Sequence, residues 1–287
     1  MIFKKFSISN LKGCITTSSI ILEENDIKVK ISKGTIIDNK TIELLKVNNI
    51  SELYCVKLDK NEITENLAAK NISKNLIAKN SKNLDFRNFS TGRSNIVAKN
   101  DGIFHYDEEQ LFKINSLSNL IGIGALKPYS RVIKGQNLVS TKIISYGMPK
   151  ELVSKIICAG KNCFKLSPFK KFKIHLIQTF KNDTKTKILD KISLITEERV
   201  KKYGDNSLTE FRSFHDKQSL NNVLIKSLSN NPDLILIFGI HAITDVEDLI
   251  PKVIKNNKGK ILRFGMPVEP GNLILISEIT KKNNKQI

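Results

Sequence analysis

The residues predict an α/β protein in two parts: a mixed α+β region over residues 1–165, then a three-layer, doubly wound, mostly parallel sheet over residues 166–287. Three observations predict it. Beyond residue 170, strand-like and helix-like segments alternate, the order that builds a parallel sheet with helices packed on it. The segment DLILIF, residues 233–238, is apolar on both faces, as a central parallel strand between helices must be. Upstream, short alternating segments and glycine turns indicate small mixed modules. The densest basic stretch, KLSPFKKFK at residues 165–173, marks the division.

The elements follow in chain order. IKVKI at residues 27–31 alternates as a strand does and is followed by a turn at Gly34. Residues 41–47 form a short helix leading into the strand ELYCVKL, residues 52–58. Leu67, Ala68, Ile72 and Ile77 mark a second helix, which ends before a loop at residues 90–94. Within residues 95–146 the strand-forming pieces are IVAK, GIFHY after a turn at Gly102, and TKIISY. FKIHLIQT, residues 172–179, is the next strand, residues 186–203 have a helical pattern, and residues 210–214 suit another strand. Leu220, Val223, Leu224 and Leu228 recur as one stripe of an amphipathic helix. After the strand at residues 233–238 come a loop, a short helix ended by Gly259, the strand ILRF, and the apolar run LILI at residues 273–276.

Composition narrows the function. At 287 residues with 40% hydrophobic content, the chain is long enough for two domains and a real core. No apolar run approaches the ~18 residues that span a bilayer. The opening MIFKKFSISNLKGC lacks a secretory signal's apolar segment, so the expected location is the cytoplasm, with no membrane partner. Cys14, Cys55, Cys158 and Cys163 have no paired metal-ligand spacing, nor do His105, His175, His215 and His241; reduced, buried thiols and no structural metal are expected. The net charge of +19 invites a nucleic-acid reading, but only 6 of the 47 basic residues are Arg, aromatics are 7%, and Trp is absent. Diffuse Lys is a solvated surface, so no nucleic-acid partner is expected.

Against that charge, Asp245, Glu247 and Asp248 crowd into four positions after the apolar strand. Gly239 ends the strand where the carboxyl edge of a parallel sheet receives ligands. The acids suit two jobs. They can cap a helix N-terminus, with Pro251 in its first turn, or one or two of them can hold Mg²⁺ against an anionic ligand.

The succession of strand, Gly239 loop, acid, helix and the Pro-Gly turn GMPVEPGNLILIS, residues 265–277, resembles the molybdopterin-binding domain of molybdopterin adenylyltransferases and molybdotransferases. The resemblance covers residues 172–287. It implies molybdopterin as ligand or substrate, Gly239, His241, Asp216, Pro270 and Gly271 as cofactor-binding residues, Asp248 and Asp245 as catalytic, and Asp248 as a Mg²⁺ ligand. Upstream, KGTIIDNKTIELLKVNNISELYCVKL, TGRSN at residues 91–95 and TKIISYGMP at residues 141–149 resemble the leading region of bacterial molybdopterin-binding proteins sometimes joined to a cytidylyltransferase domain. The departures are Ile240 for a second loop glycine, His241 for a small hydroxyl residue, and Asn272-Leu273 for Lys-Pro. Losing a glycine and a phosphate-facing lysine weakens catalysis more than binding. Family members continue past the point where KKNNKQI closes this chain, which implies a shortened form. The expected activity is molybdopterin binding in molybdenum-cofactor biosynthesis, with Mg²⁺-dependent transfer at the pterin phosphate or dithiolene if it is an enzyme. The alternatives are a non-catalytic carrier for a cytidylyltransferase or molybdoenzyme partner, and a Lys-rich nucleic-acid-binding protein. The resemblance also implies a homodimer.

Overall fold

The structure, a computed structural model, describes residues 1–24, 27–79, 81–204, 206–280 and 287, so the tail expected to mark a shortened form lies, but for Ile287, outside the described residues. The chain divides into two units, Met1–Pro168 and Phe169–Ile287.

In the first unit β1 (Ile2–Ser7) leads through a 3-10 turn to β2 (Ile15–Thr16), β3 (Ile20–Glu24) and β4 (Ile27–Ile31). Next come α1 (Asn39–Val47), started by Asp38 accepting the Thr41 N–H at 2.8 Å, and β5 (Glu52–Lys57). β5 pairs antiparallel with β1 and β2, β3 pairs with β4, and Phe6, Leu11, Cys14, Leu45 and Cys55 fill the core between them. The remaining elements are β6 (Glu62–Thr64), α2 (Glu65–Leu76), β7 (Leu84–Asn88), β8 (Arg93–Ala98), β9 (Gly102–His105) and α3 (Glu108–Ser116). They continue as β10 (Ile121–Ala125), β11 (Ser130–Val132), β12 (Asn137–Ile143), β13 (Gly147–Pro149), α4 (Lys150–Ala159) and β14 (Lys165–Pro168). The sheets β10-β12-β8-β7 and β11-β9-β14 are both antiparallel. α2 packs on the first because Ala68, Ala69, Ile72 and Leu76 share one face and are fully buried.

The second unit holds β15 (Lys173–Phe180), α5 (Thr186–Lys201), β16 (Ser207–Phe214), α6 (Lys217–Ser229) and β17 (Leu234–Phe238). α7 (Leu249–Asn256), β18 (Gly259–Phe264) and β19 (Leu275–Ile279) follow. β15 lies between β16 and β17, parallel to both. Ile177 packs against Leu220 and Leu224 of α6, while the next residue, Gln178, reaches Leu189 and Ser193 of α5. Since successive strand residues face opposite ways, the two helices cover opposite faces of β15.

The expected doubly wound, mostly parallel sheet is overturned. Parallel pairing stops at three strands, β18 and β19 form a separate antiparallel hairpin, and the sheets of the first unit are small and antiparallel. The cause is visible in β18 and β19: GKILRF and LISEI mix polar and apolar residues, and much of their surface is exposed, unlike a parallel strand buried on both faces. Centrality also moves. β17, the uninterrupted apolar run, is an edge with Leu234 43% exposed, whereas β15 is buried from Ile174 to Thr179 despite three polar residues. Cys14, Cys55 and Cys163 are buried free thiols, but Cys158 is exposed. Burial pushes the Cys163 thiol up to about 12 and the Cys55 thiol up to about 11, leaving both unreactive. Among the described residues no helix is long and apolar enough to cross a membrane.

Glu65 opens α2 with a buried carboxylate, 3.8 Å from the Lys142 ammonium, and its Oε1 has no hydrogen-bond partner among the described residues. Gly92, at φ +66°, leaves room for it: a Cβ there would stand 2.6 Å from Oε2. Burial raises the Glu65 pKa above its ordinary value of 4.5, against the opposing charges of Lys142 and Lys33. A raised carboxyl contributes stability that is complete below that ordinary value and is lost as pH rises through the folded-state value. Glu65→Gln removes the buried charge, so its urea midpoint should fall less than that of the parent chain between pH 4 and 8. Equal falls would contradict the assignment.

Candidate functional site

The carboxyl ends of the three parallel strands are held in register by polar groups that β15 buries. Inside the sheet, His175 Nδ1 lies 2.8 Å from the Ser227 hydroxyl of α6. The Gln178 amide donates toward Leu189 O at 2.9 Å and Glu210 Oε1 at 2.9 Å, and Arg212 ties Glu210 to Asp190. One residue nearer the edge, the Thr179 hydroxyl accepts the Ile240 N–H at 2.9 Å and lies 2.9 Å from His215 Nδ1. A single side chain therefore joins the ends of β15, β16 and β17.

His215 is half-buried. Burial lowers its pKa, the neighbouring His241 and Lys181 lower it further, and Asp248 and Asp216 oppose them. Above its lowered pKa the ring is neutral, and Nδ1 and the Thr179 hydroxyl share one hydrogen bond whose direction depends on the tautomer. The His241 ring meets it edge-on, with centroids 5.3 Å apart.

Beside this group lies a cavity of about 450 Å³. Phe180 and Phe214, at the ends of β15 and β16, line it with ring centroids 4.5 Å apart. Lys181, Asn182, Asp183, His215 and Asp216 complete its wall. α5 begins four residues past Asn182 without a side-chain cap; Ile188 N–H is paired with Lys185 O at 2.9 Å, and the helix start carries the positive end of the dipole. Lys181 and Lys185 flank that end in sequence.

The acids predicted to do chemistry are turned to backbone. Asp216 caps α6, accepting the Ser219 N–H at 2.8 Å, a bond that lowers its pKa. Asp248 caps α7, accepting Leu249 N–H at 3.2 Å on Oδ1 and Thr244 N–H at 3.2 Å on Oδ2. Asp245 accepts the Glu247 N–H at 2.7 Å, and Glu247 pairs with Lys255 at 2.9 Å. Gly239 is needed for close approach within its own loop, since a Cβ there would stand 2.7 Å from His241 O and 2.9 Å from Ile250 Cδ1. His241 and Asp248 line one small cleft with His215, and Asp216 adjoins His215 on the larger cavity. Pro270 and Gly271 belong to the exposed turn between β18 and β19. Among the described residues no three His, Cys, Asp or Glu side chains converge as a metal-holding group.

Thr179, His215, Lys181 and the Phe180–Phe214 pair escaped the sequence reading. The available signal was the polar end of β15, QTFKNDTK, where a buried strand runs directly into a lysine-bearing turn.

Neither a scan against models of known protein families nor a comparison with curated protein sequences returned a match.

Two outcomes follow from these assignments. Asp248→Ala should cost about 1 kcal/mol in urea unfolding while Asp248→Asn, which can still cap, stays close to the parent; equal losses would remove the capping role. His215, with its pKa below the ordinary 6.5, contributes stability that is present above that value and lost as pH falls through the folded-state value. Its imidazole proton resonances should therefore titrate below pH 6.5, and a midpoint above that value would overturn the neutral assignment.

Proposed function

We propose that the second unit binds molybdopterin at the carboxyl edge of its parallel sheet and acts as a cytoplasmic carrier in molybdenum-cofactor biosynthesis. The observation that carries the reading is the Phe180–Phe214 ring pair in a cavity also lined by Lys181 and Asn182, a few residues ahead of the uncapped N-terminus of α5 in sequence. A planar pterin needs an aromatic or apolar surface, and its phosphate needs fixed N–H donors and cations. The cavity volume of about 450 Å³ lies within the range of small-molecule sites, about 300–1,000 Å³. The resemblance of residues 172–287 to molybdopterin-binding domains supports the same ligand class.

Each group has a physical task. Lys181 and Lys185 supply charge for the phosphate, and the first turn of α5 supplies directed hydrogen bonds. His215, held at Nδ1 by Thr179, offers Nε2 to a hydrogen-bonding group of the ligand. Asp216 and Asp183 bound the cavity and repel a second anion.

A carrier is preferred to a transferase. Phosphoryl transfer needs accurately aimed charge on the reacting group, whereas Asp216, Asp245 and Asp248 are committed to backbone N–H groups. A cytidylyltransferase or a molybdoenzyme would take the cofactor onward.

Anaerobic titration calorimetry with molybdopterin tests this. Binding should weaken about tenfold, equivalent to about 1.4 kcal/mol, in Lys181→Ala, and should persist in Asp248→Asn. No binding by the parent chain, or loss in Asp248→Asn with none in Lys181→Ala, would defeat it.

A further inference from the structure

A second cavity group lies wholly in the first unit and shares no residue with the cavity beside His215. One cavity of about 650 Å³ and another of about 550 Å³ share His105, Asn162 and Lys165 as lining residues, so they adjoin in one depressed region of the surface. It is lined by the turn after α2, the turn after α4, the start of α3, Pro128 and Tyr129 ahead of β11, and the paired strands β9 and β14, where Lys165 stands directly opposite His105.

Its two ends differ in chemistry. At one end are Lys79, Lys161 and Lys165, and none of the three ammonium groups forms an ion pair with a described residue. Ser81 lines the same end, and its buried hydroxyl has no hydrogen-bond partner among the described residues. At the other end Tyr129 presents a ring that is 77% exposed and lies nearly parallel to His105, 9° between planes. Asp107, Glu108 and Glu109 border that end.

The backbone adds an independent observation. Tyr129 at φ +62° and Asn162 at φ +61° both occupy the left-handed region, which costs a non-glycine residue energy. For a bulky aromatic this conformation is an outlier, and such strain collects where a side chain is held for a ligand. Here both strained residues line the same depression. Asn162 also holds the wall, since its Oδ1 accepts the Lys79 N–H at 3.1 Å.

We propose that this depression binds a nucleoside phosphate, with the phosphates against Lys79, Lys161 and Lys165, the base stacked on Tyr129, and amino or ribose hydroxyl groups toward the acids. A simple polyanion would use the lysines and ignore the aromatic and acidic end. A nucleoside phosphate uses both, and its length from phosphate to base matches an extended site better than a compact one. The site is independent of the pterin reading because it shares no residue with that cavity.

The test is titration calorimetry of the full chain with ATP, CTP, adenosine and inorganic tripolyphosphate at fixed ionic strength. At least one nucleotide should bind more tightly than tripolyphosphate. Lys161→Ala with Lys165→Ala should weaken the nucleotide about tenfold or more. Tyr129→Ala should weaken it about fivefold or more and leave tripolyphosphate unchanged. Lys181→Ala should leave nucleotide binding intact, which separates this result from failure at the pterin cavity. Lys28→Ala with Lys30→Ala, an equal charge loss on β4, controls for the diffuse basic surface. No nucleotide binding, equal affinity for tripolyphosphate, or affinity indifferent to both site variants would each overturn the proposal.

Discussion

β15 is covered by helices on both faces and yet buries His175, Gln178 and Thr179. A buried polar side chain without a partner costs about 1–3 kcal/mol, so each of the three must be answered by a specific neighbour. Ser227 answers His175 and thereby sets the position of α6. Leu189, Ser193 and Glu210 answer the Gln178 amide nitrogen, which ties α5 and β16 to the same strand, while its buried Oε1 has no partner among the described residues. Thr179 is answered by Ile240 N–H and His215, and so brings the ends of all three strands together. Apolar packing alone would allow each helix to slide along its groove; these hydrogen bonds have a narrower geometric tolerance.

The same edge shows why acids cluster in a chain of net charge +19. A helix start leaves N–H groups unpaired, and a carboxylate satisfies them while matching the dipole. Asp216 and Asp248 perform that service for α6 and α7. α5 has no such cap, and its uncapped turn lies where lysines are the neighbours. The contrast leaves one helix start without a carboxylate and gives one to each of two others. It also separates charge that builds the fold from charge left for a ligand.

In the first unit the division of labour is different. α2 gives one face to the core and opens with Glu65, whose burial depends on the missing side chain of Gly92. The strained residues fall at the surface, where Tyr129 and Asn162 shape a depression. Tight packing leaves the interior little freedom to adapt to a ligand, so recognition falls to turns that the sheets hold rigid.

Much of the local structure was legible in the residues. The stripe Leu220, Val223, Leu224 and Leu228 marks α6, and capping was one of two readings available for the acids that begin α7. These features depend on neighbours a few positions away, and a periodic pattern records such neighbours directly. Pairing does not work that way. LILIF has the composition of a central strand and forms an edge, while IHLIQTF carries polar residues and forms the centre, because rank in a sheet depends on which distant segments cover it. The hairpin of β18 and β19, and the meeting of Thr179 with His215 across 36 positions, likewise came only from the tertiary structure. Local backbone preferences and helix ends were set by short-range sterics and hydrogen bonding; strand order, burial of the polar groups and the cavities required the long-range contacts that satisfy them.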